Sequence, residues 1–493
     1  MPSTNASRAG IGLGAGLLAY GAVLFALVGA VPGGSDTSGY FNEARLFARL
    51  EIHAPERALP GIPAGRAPPY LYVPLGFKPA ADGSARMVPT YPPGLPLLLV
   101  PTARVVGWRH AGDILLVLHS LAGVALAFAL GRICGLPAPW SLLAAAVLAA
   151  SPLYLYSSLW ALSDVPATVW ATAAVISAWK GRGRPGWALA AGVCFAVAFL
   201  VRPSNFLVLL PVVLAIGMAP GRLALAALGA TPGIAAWMAV NRFAYGGYFQ
   251  SGYGAIGSEF HAGLVPGTLA YCARWLPVLL SPIVIASPAI LAFFRSRPRV
   301  AAVLAAWAAA YIGFYLPYRW THEDWWFLRF LLPAAPALVV AGLIVLQLGH
   351  ERLLERFPGT WARALPVLLL VAALGVEAGQ IVPLDAWAIG RGERKYGRVA
   401  DWLTANVPRN SAIVAVQFSG ALFYFTDLTL LRADQMDPPT AGRVQAAARS
   451  AGIPLYAVLF PFEVRKLKDL PGPWALAGSV DDVTIWRCDW AKK

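Results

Sequence analysis

Apolar residues run in blocks of about twenty from Gly10 to Val382, separated by short polar or proline-containing connections. A block of that length, wound as a helix rising about 1.5 Å per residue, crosses roughly 30 Å of hydrocarbon. The pattern predicts about eleven transmembrane helices, near residues 10–31, 112–131, 139–156, 165–180, 186–201, 204–219, 223–240, 275–294, 300–316, 329–348 and 364–383. The segment 95–107 is shorter and interrupted by Pro96 and Pro101, so it is read as a juxtamembrane or re-entrant piece. The first block is long enough to stay as an anchor rather than a cleaved signal.

From about residue 385 the pattern changes. Short alternating runs, AIVAVQF (412–418), LTLLRA (428–433), PLYAVLF (454–460) and DVTIWRC (482–488), read as strands, with helix-compatible stretches at 395–406, 441–450 and 462–467 between them. The expected fold class is an all-α polytopic membrane protein with a small C-terminal α/β extracytoplasmic domain. Its transmembrane module would be residues 1–384, with a first outer loop at 32–93, and the C-terminal domain residues 385–493.

Composition sharpens this picture. Of 493 residues, 58% are hydrophobic and only 13% charged, against roughly a quarter charged in a soluble domain. A mean hydropathy of +0.61 agrees with the bilayer as the main solvent. The net charge of +15 does not imply nucleic acid, because the basic residues sit in short clusters between apolar blocks. Those clusters fall in every second connection: Arg8; Arg132; Lys180, Arg182 and Arg184; Arg222; Arg295, Arg297 and Arg299; and Arg352, Arg356 and Arg363. The positive-inside rule then places the N-terminus in the cytoplasm and the tail outside. The expected location is the bacterial inner membrane, with the tail in the periplasm. The four cysteines show no Cys-x-x-Cys spacing and no histidines at zinc intervals.

With that parity, two acids stand at the outer membrane face: Asp36, in GGSDTSGYFNEARLF, and Asp164, in SLWALSDVP. A carboxylate at a partly desolvated interface can take a proton from an acceptor hydroxyl or amine, and Asp36 is the candidate base. Each acid could instead cap a helix, one starting near Tyr40 and the other near Val165. Arg202, Arg319, His322 and Arg329 fall at outer span ends and suit an anionic head group, although arginines there also snorkel to lipid phosphates. Tyr91, in TYPPGLP, could reach the same phosphate or anchor in the aromatic belt. Trp160, Trp320, Trp325 and Trp326 lie in or near these loops, as sugar-stacking surfaces or interface anchors. Asp113, His119 and Glu377 intrude into the apolar blocks with no partner evident in the sequence.

The order of these features resembles glycosyltransferase superfamily C, the polytopic enzymes that use polyprenyl-phosphate sugars. The matching pieces are Asp36 followed by Tyr40, the Tyr91–Gly94 YPPG segment, Ser163-Asp164-Val165-Pro166, and Arg329-Phe330-Leu331-Leu332-Pro333. The likeness spans roughly residues 10–341. It is greatest to the bacterial protein-mannosyltransferase-like branch, with its lipid A aminoarabinose transferases and lipopolysaccharide galacturonosyltransferases. The resemblance implies a catalytic Asp36 assisted by Asp164. Where many relatives carry an adjacent Asp-Glu pair, Thr37 follows Asp36 and the next acid is Glu43, leaving open whether Glu43 shares the work and whether a divalent metal is bound. The function this implies is inverting transfer from a polyprenyl-phosphate sugar donor to an envelope glycan, lipid or protein acceptor. With no D-x-D pair, no cofactor is expected and transfer is expected to be metal-independent. Membrane lipids are the other expected partners. A lipid transporter or flippase is the competing class, and an assembly scaffold a third. A transporter would show related halves and paired mid-membrane charges.

Overall fold

The computed structural model describes residues 2–357, 359–468, 470 and 472–489. The chain forms two compact units that alternate along the sequence. One comprises Met1–Val28, Asp113–Ala236 and Ala255–Ile389; the other comprises Gly29–Gly112, Trp237–Gly254 and Gly390–Lys493.

The first unit is helical, and the protein is a multi-pass membrane protein. Among the described residues six helices are long and apolar enough to cross a bilayer: Arg8–Leu27, Ala111–Ile133, Pro220–Tyr245, Pro298–Tyr315, Trp325–Arg356 and Ala364–Ile381. Two more stretches qualify only as bent pairs, Ala138–Ala150 with Pro152–Leu159 (58°) and Ala262–Leu279 with Pro282–Phe293 (116°). By length and composition, then, six of the expected eleven blocks qualify among the described residues, or eight if each bent pair is one span. The remaining three blocks do form helices, Asp164–Lys180, Pro185–Val201 and Pro203–Ile216. At no more than 17 residues, each is at most about 26 Å long, at the short end of what crosses the hydrocarbon. Pro203 explains one boundary, because a residue before proline is driven to extended geometry and Arg202 is extended (φ −150°, ψ 108°). The bends have a similar cause, with Pro152 and Pro282 each removing a backbone donor. Ser151 Oγ donates to the Leu279 carbonyl at 2.8 Å, so a hydroxyl satisfies an acceptor freed at the other bend.

The second unit carries two sheets. Strands β1 (Ala54–Pro55), β2 (Phe77–Pro79) and β3 (Arg86–Pro89) form an antiparallel sheet in the order β1-β3-β2. The larger sheet uses β4 (Ala412–Ala415), β5 (Thr429–Arg432), β6 (Leu455–Leu459), β7 (Trp474–Val480) and β8 (Val483–Cys488), in the order β5-β4-β6-β8-β7. Strand β4 pairs in parallel with both β5 and β6, and β8 pairs antiparallel with β6 and β7. Every residue of β4 and β6 is buried, which is why both read as unbroken apolar runs rather than alternating ones. Strand β7, absent from the sequence expectations, is a half-exposed edge interrupted by a register shift between Leu476 and Gly478.

The loop 32–93, assigned by sequence to the transmembrane module, packs with the tail in this unit. Leu59, Ile62, Leu71 and Tyr72 share a core with Val414, Leu431, Leu455 and Leu459. Arg432, buried, fastens it: its backbone N–H donates to the Leu71 carbonyl (2.8 Å) and Nη1 to the Val73 carbonyl (3.2 Å). Its Nε and Nη2 hold Asp434 at 2.7 and 2.6 Å. Hydrogen bonds from a charged donor contribute about 1.5–3 kcal/mol each. Arg432→Met is therefore expected to destabilise this unit by about 2 kcal/mol, seen as a lower Tm and faster proteolytic cleavage within 56–75.

Candidate functional site

Each unit assembles its own polar centre. In the second, Asp36 is the first residue of the helix Asp36–Ala48, so the helix starts at the acid itself rather than near Tyr40. An acid in the first turn lies where the helix dipole favours negative charge. Asp36 Oδ1 accepts a hydrogen bond from the Tyr91 hydroxyl at 2.6 Å. Tyr91 is also 2.8 Å from Ser35 Oγ. Because the single phenolic hydrogen goes to Asp36, Ser35 must be the donor in that contact. Burial first, then the Asp36 charge and hydrogen bond, push the Tyr91 phenol well above its ordinary value, so it stays a donor.

The close approach of Tyr91 requires glycine at position 39. A Cβ there would lie 2.4 Å from Tyr91 Cδ2 and 3.1 Å from the Gly76 Cα, and Gly76 itself has φ +89°. Tyr40 packs against the Tyr91 ring (centroids 5.1 Å apart) and Tyr253 meets it edge-on (6.0 Å). Glu43, two helical turns after Asp36, falls on nearly the same helix face, seven residues at 100° each. It is buried, and its Oε2 has no hydrogen-bond partner among the described residues. Burial raises its pKa well above the ordinary value.

In the first unit, Asp164 opens the helix Asp164–Lys180 and is buried. Arg202 Nη1 bonds its Oδ1, and Arg329 Nε stands 3.5 Å from its Oδ2. Arg202 reaches it from the extended residue that ends Pro185–Val201, and Arg329 from the 3-10 stretch Trp325–Ala334. Arg329 lies among Trp160, Phe327 and Phe330, its Cζ 5.2–5.3 Å from each ring. Arg202 Cζ is 5.0 Å from the Phe330 ring. Beneath them, the Tyr315 hydroxyl meets Ser204 Oγ at 2.8 Å, and Tyr311 donates to Asn205 Oδ1 at 2.5 Å. Two guanidiniums offer ten N–H donors between them, more than one carboxylate can accept.

Arg319 and His322 are engaged elsewhere in that unit. Arg319 is largely exposed and 3.9 Å from Glu259, and His322 Nδ1 is 3.1 Å from Thr268 Oγ1. Trp320 also donates to Glu259, at 3.0 Å. Of the three intruding polar residues, His119 has local partners: its Nδ1 bonds the Leu115 carbonyl and Trp170 donates to its Nε2. Glu377 is buried, with the Ser281 hydroxyl the polar group that acts on its carboxyl. Sequence reasoning missed Ser35, Ser204, Tyr311 and Tyr315. Only Ser35 had a usable signal, its place directly before the candidate base.

No protein-family model matches the chain, and no curated protein matches it in sequence. Solved structures do match. ArnT from Cupriavidus metallidurans bound to undecaprenyl phosphate aligns at 14% identity with a TM-score of 0.60, covering 97% of each chain. The apo state of that protein aligns at 16% identity and 0.55, covering 97% of this chain and 98% of the other. The Archaeoglobus fulgidus oligosaccharyltransferase tethered to an acceptor peptide aligns at 13% and 0.56, covering 92% and 70%. The chain therefore shares its fold with these solved structures.

Glu43 generates a prediction of definite sign. The folded state binds its proton more tightly than the unfolded chain does. Its contribution is thus complete below the ordinary glutamate range and is lost as pH rises through the elevated folded value. Glu43→Gln is expected to leave thermal stability at pH 5 close to that of the wild type. At pH 8.5 the variant should unfold at a higher temperature than the wild type.

Proposed function

We propose that the protein is a membrane glycosyltransferase that moves a sugar from a polyprenyl-phosphate donor to an acceptor at the outer face of the bacterial inner membrane. The observation that carries this reading is the convergence of Arg202 and Arg329 on buried Asp164, in a fold shared with a transferase solved with undecaprenyl phosphate bound.

In this reading Arg202 and Arg329 bind the donor phosphate, and Asp164 is the positioning residue that holds them in one orientation. A phosphate leaving group needs charge neutralisation more than a proton, and bidentate guanidiniums supply it. Asp36 takes the proton from the acceptor hydroxyl or amine as that atom attacks the anomeric carbon. The bond from that carbon to the phosphate oxygen breaks, its electron pair leaves with polyprenyl phosphate, and the anomeric centre inverts. Tyr91, expected at the phosphate, is here assigned to Asp36, since its hydroxyl donates to that carboxylate. That bond orients the Asp36 carboxylate toward the acceptor. The reading includes no metal, the cationic charge coming from the two arginines.

The test is release of polyprenyl phosphate from a panel of lipid-phosphate sugars by purified protein, with acceptor-containing membrane extract present. Asp36→Asn is expected to lower the rate at least about 1,000-fold at unchanged Tm, and Tyr91→Phe about 10-fold, as expected for a general base and the residue orienting it. EDTA should leave the rate unchanged. No release with any donor, together with lipid movement in proteoliposomes, would transfer the assignment to a transporter.

A further inference from the structure

The helix that presents Asp164 at one end carries an arginine cluster at the other. Asp164–Lys180 has 17 residues, so the two ends are about 25 Å apart. Pro185–Val201 returns from the cluster to Arg202, and Pro203–Ile216 leads back to Gly217. Arg182 folds over that glycine: a Cβ at Gly217 would lie 2.8 Å from Arg182 Nη1 and 3.6 Å from its Cζ. Arg299 lies against Trp179, three residues before Arg182, and Arg222 follows Gly217 by five residues, so the three guanidiniums gather at this end; the charges of Arg299 and Arg222, after desolvation, lower the proton affinity of Arg182. None of the three forms an ion pair among the described residues. Nearby, Arg297 has a buried Nη1 with no hydrogen-bond partner among the described residues. Like charges gathered this way repel unless an anion joins them.

We propose that Arg182, Arg222 and Arg299 form a binding site for the phosphate head group of an anionic phospholipid. Two features select a lipid over a free anion. Trp179 lies 5.9 Å from Arg299 Cζ and Trp187 lies 4.5 Å from Lys180 Nζ, and tryptophans at a bundle end are characteristic of head-group depth. Met218, Leu189 and Val193 are exposed beside the cluster, offering apolar surface along which an acyl chain can lie. This site is separate from the transfer chemistry and does not depend on it.

The test uses full-length protein in neutral detergent, titrated with phosphatidylglycerol, cardiolipin, phosphatidylcholine or inorganic phosphate. Bound molecules are counted by native mass spectrometry. Phosphatidylglycerol and cardiolipin should be retained well above phosphatidylcholine. Near a membrane surface each basic residue contributes roughly a fivefold gain in affinity for anionic lipid. R182Q, R222Q and R299Q, two of them at exposed positions, should each weaken retention about fivefold, and the triple variant roughly 100-fold. Triple replacement by lysine, which keeps the charge, should lose far less. Equal retention of phosphatidylcholine, or unchanged retention by the glutamine variants, would overturn the proposal. Inorganic phosphate displacing the lipid at millimolar concentration would overturn the lipid assignment in favour of a free-anion site.

Discussion

Asp164 draws two guanidiniums to one carboxylate at the edge of an apolar bundle, and the geometry of the first unit follows from making that possible. Taking such charges out of water is costly unless each finds its partner at short range. The partners come from three different segments, so each must stop being an ordinary helix at the right place. Asp164–Lys180 begins at the acid, Pro185–Val201 ends in an extended Arg202 before Pro203, and Arg329 sits in tightened 3-10 backbone rather than α-helix. The aromatic rings around Arg329 and Arg202 add attraction for the cations while keeping water away.

The second unit meets a different constraint. Asp36 stands on a short helix, 13 residues long, which would be marginal alone. It is held from outside: Asn42 donates to the Gly420 carbonyl at 3.0 Å, and the Arg45 guanidinium lies 3.5 Å from the centre of the Tyr424 ring. The tail domain is thus structural support for the candidate base, whatever else it binds. Glu43 stands on the same helix, a buried carboxyl whose proton affinity burial raises.

The apolar blocks were legible because twenty consecutive hydrophobic residues have few alternatives in water. Their length did not register where a helix breaks, since hydropathy cannot see an extended Arg202 or a 116° bend. In the tail, β4, β5, β6 and β8 were readable from dense β-branched and leucine runs. Strand β7 was not, because Trp474-Ala-Leu-Ala-Gly favours no strand until it pairs with β8. The three short strands of the first loop, two to four residues each, lay below any periodic signal. Asp36, Asp164, Arg202 and Arg329 could be picked out as isolated polar residues at span ends. Their partners could not, because 38 residues separate Arg202 from Asp164 and 55 separate Tyr91 from Asp36.

The bond from Asn42 to Gly420 closes a loop of 378 residues, and this has a consequence in time. A ribosome adding roughly 5–20 residues per second needs on the order of 20–75 s to make the intervening chain. During that interval the helix bearing Asp36 exists without the surface that steadies it, while most of the first unit is already being threaded into the bilayer. The candidate base is therefore among the first polar groups synthesised and among the last to be fixed. A nascent or truncated chain would carry Asp36 on an unsupported helix, so that the arrangement proposed for proton transfer is in place only once the tail strands have been made.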